Sequence, residues 1–146
     1  MSTASRSPAV LAALASVAVT GLDPASVRAM ATGDSGEFDV ALVVDTQDRH
    51  WVVRAPRTPA AGARLEAATT LLPLIARRLP FHVPVPKGFV AVPEGRAAVH
   101  PHLAGHPLRL AAVPAGPGLA GELGRAIAAI HNLDRALFDE AGMPVY

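Results

Sequence analysis

The stretch FDVALVVDTQDRHWVVRA, residues Phe38–Ala55, decides the fold. Its first part is apolar at every second position, at Phe38, Val40, Leu42 and Val44, which is typical of a strand that buries one face. The polar segment DTQDR that follows is short enough to be a hairpin turn, and HWVVRA then returns antiparallel to the first strand. The sequence therefore predicts a β-hairpin within a mostly antiparallel sheet.

The segments before the hairpin predict a turn at Asp23–Ser26, a strand over Val27–Thr32 and a polar, glycine-bearing loop over Gly33–Phe38. Further upstream, Pro8–Thr20 is an apolar, alanine-rich segment that ends at Gly21. It is too short to span a bilayer, and we expect a small N-terminal helix packed on the body of the domain. A cleaved signal peptide is the alternative interpretation of this segment.

The segments after the hairpin predict one helix between strands and one helix after them. Apolar residues recur at helical spacing over Ala61–Leu79, and Pro73 should kink or split this helix. Residues 81–103 supply two or three short strands with a tight turn at Glu94–Gly95, and a second helix is expected over Leu119–Leu133. This order indicates an α+β fold with a five-stranded, mostly antiparallel sheet and an inserted helix.

The composition limits the possible partners. The chain has 146 residues, 51% of them hydrophobic, which suits one modest domain or a piece of a larger one. Charged residues make up only 17%, so we expect some apolar surface to contact a partner, by self-association in the simplest case. The formal net charge is +1 without a run of like charges, which argues against a nucleic-acid partner. The absence of cysteine excludes disulfides and cysteine-ligated metal.

Arg54 is the candidate functional residue of the hairpin. Alternation places Val52 and Arg54 on one face of their strand, and Val40 of the preceding strand can cover the same side. With the glycine loop at the open end of the hairpin, this arrangement predicts a slot for a flat ring and a phosphate chain. Glu66 on the following helix can pair with the guanidinium, since a buried arginine needs a partner. The alternative is that Arg54 points to water at the end of its strand.

A series of short segments runs through the chain in this order: WVVRAP, a glutamate on the next helix, RLPFHVPVPKG, AAVHPHLAGHPL, LAGELGRAIAAIHNL and EAGMPVY. Together with the hairpin they resemble the aminoglycoside phosphotransferase family, and most closely its macrolide phosphotransferase branch, from about Ser7 to Tyr146. The resemblance implies a cytoplasmic enzyme with a protein-kinase-like fold. Such an enzyme transfers the γ-phosphoryl group of GTP or ATP, with Mg²⁺, to a hydroxyl of an antibiotic.

The resemblance implies roles for residues of the slot. Arg54 falls where kinases place the strand lysine that holds the α- and β-phosphates, and Glu66 falls at the helix glutamate that orients it. An arginine at this position resembles the macrolide branch, and its planar fork can grip phosphate bidentately. Val40 and Val52 would cover the purine ring.

The resemblance also implies contacts from two loops. The hinge would be Val99–Gly105, in which the carbonyl of Pro101 and the N–H of Leu103 meet the edge of the base. Pro101 suits this task because proline keeps its carbonyl acceptor. The loop around Ser35 and Gly36 would cover the phosphates, although GDSGEF differs from the kinase pattern G-x-G-x-x-G.

The family's catalytic loop and metal-binding aspartate have no counterpart in this sequence, so neither a catalytic nor a metal-binding residue is expected here. The expected organisation is an N-terminal helix at residues 1–22, a nucleotide-binding lobe at 23–104 with the hinge at 99–105, and a linker and first helix of a truncated second lobe at 106–146. Such a chain should be inactive alone, because phosphoryl transfer depends on positioning and charge neutralisation. A non-catalytic nucleotide-binding module and a structural interaction domain are the alternatives.

Histidines and one aspartate admit more than one interpretation. His100, His102 and His106 raise the possibility of a metal site, but the sequence lacks a helical H-x-x-x-H motif with a carboxylate, so hinge or surface roles are favoured. His131 is interpreted as a hydrogen-bonded core histidine. Asp134, in HNLD, is interpreted as a helix cap rather than a catalytic base.

Overall fold

The computed structural model describes residues 5–31, 36–109, 111 and 118–143. The helices in these ranges are α1 (Pro8–Ala18), α2 (Pro59–Ala76), α3 (Leu119–His131) and α4 (Arg135–Glu140). The strands are β1 (Pro24–Ala29), β2 (Phe38–Asp45), β3 (His50–Pro56), β4 (Gly88–Val92) and β5 (Gly95–Pro101). The strands form one antiparallel sheet in the order β1–β2–β3–β5–β4. The predicted α+β fold, with α2 inserted between the third and fourth strands of the chain, is confirmed.

Asp45 organises the turn of the β2–β3 hairpin. Its carboxylate accepts the backbone N–H groups of Gln47 and Arg49 at 3.0 and 2.9 Å, and the indole N–H of Trp51 at 3.0 Å. Burial alone would raise the pKa of Asp45, but these bonds to the charged form outweigh it and lower the pKa to about 2. The hairpin turn is therefore held by an ionised carboxylate at neutral pH.

Helix α1 closes one face of the sheet. Leu11 and Ala15 of α1 are 2% and 0% exposed. They share a core with buried residues of the sheet, namely Ala41, Val43, Trp51, Val53, Ala55, Ala97 and Val99. Gly88 allows the close approach of helix and sheet, because a Cβ there would lie 1.9 Å from the carbonyl oxygen of Ala18. The prediction of an N-terminal helix packed on the body of the domain is confirmed.

A network of ion pairs connects the segment before α1 to the sheet. The guanidinium of Arg6 pairs with Asp39 of β2 at 3.1 Å and with Glu94 in the turn between β4 and β5. The hydroxyl of Ser5 and the backbone N–H of Arg6 also donate to Asp39, at 2.8 and 3.1 Å. Burial would raise the pKa of Asp39, but these donors and the Arg6 charge hold it below its usual value. The network was not predicted from the sequence.

Helix α2 packs on the opposite face of the sheet with its first half and on α4 with its second half. The buried contacts of the first half join Ala61, Leu65, Phe38 and Ala98. Those of the second half join Leu71, Ile75, Leu137 and Ala141. The two faces of the sheet are therefore covered by different helices, α1 on one side and α2 on the other.

The first strand lies earlier in the chain than predicted. β1 begins at Pro24, inside the predicted turn Asp23–Ser26, and ends at Ala29 rather than Thr32. The strand is at the edge of the sheet, where a proline without an N–H group is tolerated. Edge position, which depends on the whole sheet, therefore overrides the local turn signal.

The bounds of α2 and the effect of Pro73 also differ from the prediction. The helix begins at Pro59, because the side chain of Thr58 caps it by accepting the N–H of Ala61 at 3.1 Å. It ends at Ala76 and contains Pro73 without a break. Pro73 removes only its own N–H donor from the helix, and the helix continues to Ala76 beyond it. The predicted split at Pro73 is wrong.

The C-terminal region contains a helix that the pattern did not predict. α3 ends at His131, and Asp134 then caps α4 by accepting the N–H of Ala136 at 2.9 Å. The interpretation of Asp134 as a helix cap is confirmed. His131 is exposed, so its interpretation as a core histidine is wrong.

The apolar stripe of α3 is exposed in the structure. Leu123, Ile127 and Ile130 are 37%, 44% and 47% exposed, although their spacing is that of an amphipathic helix. None of the helices in the described ranges is long and apolar enough to cross a membrane.

Candidate functional site

Arg54 lies on β3, between β2 and β5. It is opposite Val40 on β2 and Ala98 on β5, and Val52 precedes it by two residues on the same face. Val52 is buried, whereas Val40 and Arg54 are half-buried. The structure therefore brings Val40, Val52 and Arg54 together, as predicted, on the face that α1 does not cover. This face offers apolar surface and a cation side by side.

The aromatic ring of Phe38 supports the Arg54 side chain. The guanidinium carbon of Arg54 lies 4.0 Å from the centroid of the ring, within the range of a cation–π interaction. Phe38 is only 8% exposed and is held by Ala61 and Leu65 of α2. Phe38 was predicted to lie on the same strand face as Val40, but its contact with Arg54 was not predicted. Register across the hairpin was the missing information.

Glu66 pairs with a different arginine from the one predicted. Its Oε1 accepts a hydrogen bond from Nη2 of Arg96 at 2.7 Å. The two side chains are 60% and 46% exposed, so both keep much of their hydration. The expected pair between Glu66 and Arg54 is absent from the part of the chain that the structure describes, where Arg54 packs on Phe38 instead. The prediction of that pair is therefore wrong.

The predicted hinge residues do not all face the Arg54 side of the sheet. Val99 is opposite Val53 on β3 and is 0% exposed in the core under α1. Its side chain therefore lies on the other face from Arg54, because alternate residues of a strand point to opposite sides. Leu103 is 41% exposed. The side chain of Val99 therefore cannot line the slot.

His100 interacts with the hinge carbonyl that was expected to meet a base. Its Nδ1 lies 2.9 Å from the carbonyl oxygen of Pro101, and because a carbonyl only accepts, Nδ1 carries the proton. Burial lowers the pKa of His100, the bond to Pro101 opposes this, and the charges of Arg54 and His102 lower it further. The imidazole is therefore neutral at physiological pH and close to the Arg54 charge. Only a hinge or surface role was predicted for His100 from the sequence.

The loop predicted to cover phosphates is described only at its end. Ser35 lies outside the described residues, whereas Gly36 adopts a φ of +73°, a conformation that favours glycine. The carbonyl oxygen of Gly36 accepts a hydrogen bond from Nη1 of Arg57 at 3.0 Å, and the N–H of Arg57 donates to the carbonyl of Glu37 at 2.9 Å. The carboxylate of Glu37 pairs with Arg64 of α2. The end of the loop is thus attached to both β3 and α2.

A cavity of about 230 Å³ opens where these elements meet. Its lining residues are Glu37, Phe38, Arg54, Arg64, Leu65 and Ala68. Sequence reasoning missed Arg64, although it lies two residues before Glu66 on the same helix. The cavity is suited to an anion, since it presents two guanidinium groups and one carboxylate.

The described residues offer little to a metal ion. No group of three or more histidine, aspartate or glutamate side chains in the described ranges is placed to hold one. His50 and His102 approach each other with ring centroids 6.3 Å apart, but they do not belong to a group of this kind in those ranges. The charged groups near Arg54 therefore fit phosphate better than metal.

Comparison with known proteins gives one family and a set of similar structures. The sequence matches the phosphotransferase enzyme family over residues 31–145. No curated protein matches it. A macrolide 2'-phosphotransferase from Brachybacterium faecium, solved as the apoenzyme, has a TM-score of 0.75 at 26% sequence identity, and the match covers 96% of this chain and 48% of that one.

Two further solved structures are similar in fold at lower identity. The GDP complex of wild-type aminoglycoside 2'-phosphotransferase-IIIa has a TM-score of 0.79 at 18% identity, covering 97% of this chain and 47% of that one. The GDP and kanamycin complex of APH(2")-IIia has a TM-score of 0.75 at 18% identity, covering 92% and 45%. The chain thus spans about half the length of these solved relatives.

Proposed function

The chain belongs to the phosphotransferase enzyme family, and from this we propose that it forms the nucleotide-binding lobe of an antibiotic phosphotransferase. The donor would be GTP or ATP, and the acceptor a hydroxyl of a macrolide or aminoglycoside. Complexes of similar structures with GDP, and in one case with kanamycin, support this choice of ligands. The macrolide enzyme at 26% identity favours the macrolide type.

The position of Arg54 is the observation that supports the proposal most directly. Its guanidinium lies on the face of the sheet that α1 leaves open, next to Val40 and Val52 and beside the anion-suited cavity. A guanidinium can bind two phosphate oxygens at once, which a lysine ammonium cannot do with the same geometry. In this proposal Arg54 holds the phosphates while Val40 and Val52 cover the purine ring.

The base would meet the chain at the end of β5. We assign the carbonyl of Pro101 and the N–H of Leu103 to the base edge, as in the sequence-based expectation. His100 already donates to the Pro101 carbonyl at 2.9 Å, but a carbonyl has two lone pairs and can accept a second hydrogen bond. Gly36 and Ser35 are assigned to the phosphates.

Mg²⁺ would enter with the nucleotide phosphates. Arg54 and Arg64 suit the phosphate oxygens, whereas the described residues around them do not form a cluster of metal ligands. In this proposal the metal ligands and the catalytic base lie outside the described residues. Use of a nucleoside triphosphate also favours a cytoplasmic location. In this proposal the chain alone binds nucleotide and does not complete phosphoryl transfer.

Thermal unfolding with and without nucleotide tests the proposal. Binding to the folded state must raise the unfolding midpoint by mass action, so Mg-GTP or Mg-ATP at millimolar concentration should raise it by a few degrees. Arg54→Ala should remove most of this shift. Arg28→Ala, which changes an exposed arginine on β1, is the matched control and should retain it. A well-folded parent with no shift for either nucleotide would contradict the proposal.

The exposed stripe of α3 favours a second candidate function, a non-catalytic interaction module. Leu123, Ile127 and Ile130 present a continuous apolar surface, which is typical of a protein–protein contact. Self-association through this surface should give concentration-dependent light scattering. Ile127→Glu should abolish that dependence without lowering the unfolding midpoint. Scattering independent of concentration in the parent would exclude this candidate.

A further inference from the structure

The cavity between β2, β3 and α2 is lined by a second arginine besides Arg54. It measures about 230 Å³, and both Arg54 and Arg64 line it. Phe38 forms an apolar wall, since the Arg54 guanidinium carbon lies 4.0 Å from its ring centroid. Arg64 comes from the first half of α2, so the two cations approach the cavity from different elements.

Arg64 is held by a partner that a ligand can replace. It pairs with the carboxylate of Glu37, which follows the glycine-bearing loop. The two side chains are 56% and 38% exposed, and an ion pair that remains in contact with water contributes little to stability. The pair can therefore exchange for a stronger partner at small cost.

A phosphate chain is a stronger partner than one carboxylate. It carries several negative charges on neighbouring oxygens, and arginine binds such oxygens in bidentate fashion. The Glu37 carboxylate would repel the same chain, because both are anionic. Because the carboxylate and the phosphate chain compete for the same guanidinium, phosphate binding favours release of Glu37 from Arg64.

We propose that Arg64 is a second phosphate-binding residue of this lobe, and that Glu37 occupies it until the nucleotide arrives. The inference rests on the proposed function, because it assigns further residues to the same site. Arg54 and Arg64 would hold the oligophosphate between them above the Phe38 ring. Displacement of Glu37 would couple the end of the glycine-bearing loop to the presence of phosphate.

The test compares ligands with and without phosphate on the whole chain. Calorimetric titration with GTP, guanosine, ATP, adenosine and inorganic tripolyphosphate separates base binding from phosphate binding. Arg64→Gln should weaken GTP or ATP and tripolyphosphate by about tenfold, since a charge-assisted contact is lost, and should change nucleoside affinity less than about twofold. Glu37→Gln should strengthen the phosphate-bearing ligands by about threefold, because a competing anion is removed.

Two controls distinguish phosphate binding from a structural tether. Arg77→Gln changes an exposed arginine at the C-terminal end of the same helix and should leave every affinity unchanged. Arg64→Lys keeps the charge and should recover part of the tripolyphosphate affinity. If Glu37→Gln weakens phosphate binding as Arg64→Gln does, the ion pair between these residues only holds the site in place, and the inference fails.

The remaining outcomes separate this inference from the proposed function. If nucleotide affinity falls in Arg54→Ala but is unchanged in Arg64→Gln, the inference about Arg64 is contradicted and the proposed function is not. A folded parent that binds neither nucleotide nor tripolyphosphate contradicts both. If Arg64→Gln lowers the unfolding midpoint without ligand, the affinity of the Glu37→Gln variant still tests the inference. Tighter phosphate binding by that variant is expected only if Glu37 competes with phosphate for Arg64.

Discussion

The two faces of β3 have different surroundings. Residues on one face are buried in the core and determine stability, whereas the other face carries the proposed binding residue Arg54. On the α1 side, Trp51, Val53 and Ala55 are 8%, 0% and 0% exposed and belong to a continuous apolar core. On the other side, Val52 is buried, but Arg54 is half-buried, packs on an aromatic ring and lines a cavity. One strand therefore supplies both surfaces through simple alternation.

The difference shows what each helix contributes. α1 closes its face through Leu11 and Ala15, so that face is available only for packing. α2 buries Phe38 and Ala98 on its face, and Arg54 remains accessible between them and the cavity. Substitutions on the α1 side should change the free energy of unfolding, whereas those around Arg54 should change mainly ligand affinity.

The largest effect is expected for Leu11→Ala, which breaks the contact between α1 and the sheet. Leu11 is 2% exposed, and removing such a leucine costs about 3 kcal/mol of unfolding free energy. Thermal unfolding should show a midpoint lower by roughly 6–12 °C for a chain of this size. Val10→Ala, at a position 47% exposed on the same helix, is the control and should change the midpoint little. Equal effects of the two variants would mean that α1 does not close the core.

The next effect is expected for Arg6→Ala, on the same side of the sheet. Arg6 pairs with Asp39 and Glu94, whose side chains are 4% and 8% exposed. Removing the guanidinium from buried carboxylates should cost about 2 kcal/mol, measured by urea unfolding. Arg125→Ala changes an exposed arginine on α3 and should cost less than about 0.5 kcal/mol. A variant as stable as the parent would show that the network contributes nothing net.

Much of the fold was predictable because it depends on local pattern. The hairpin, the N-terminal helix and the order of elements follow from alternation, helical spacing and short polar turns, and each was confirmed. The bounds of β1 were not predictable, because the tolerance of Pro24 depends on its place at the sheet edge. The Arg6 network was not predictable either, since it joins residues 33 and 88 positions apart.

The candidate site was predictable only in part for the same reason. Alternation placed Val40, Val52 and Arg54 on one face correctly. The partners of the charged groups depend on how α2 is rotated against the sheet, which the sequence does not specify. Glu66 therefore meets Arg96 instead of Arg54, and Arg64 meets Glu37.

Acid should weaken the α1 side through Asp45. Its pKa in the folded chain is about 2, below the ordinary value of 3.8. A carboxyl group whose pKa is lowered by folding stabilises the fold when it is ionised, and this contribution is lost as the pH falls from about 4 to about 2. The fluorescence of the single tryptophan, Trp51, reports unfolding directly. Asp45→Asn should be less stable at pH 7 and should lose less stability over that pH range; parallel pH profiles would contradict the assignment.

The smallest effect on stability is expected for Phe38→Leu, on the Arg54 side. Replacing a buried phenylalanine by leucine should cost about 1 kcal/mol, but the Arg54 guanidinium also loses the ring 4.0 Å away. Without that ring its position is less fixed, so nucleotide affinity should fall by about threefold, measured by calorimetric titration.

Phe89→Leu is the matched control for Phe38→Leu, because the guanidinium of Arg96 lies 4.9 Å from the Phe89 ring outside the cavity. Phe89 is 40% exposed, so its loss should change neither stability nor nucleotide affinity by much. If Phe38→Leu binds nucleotide as tightly as the parent, the ring only packs. Phe38 would then belong to the core and contribute only to stability. Arg54 would remain the residue of this face that contributes to binding.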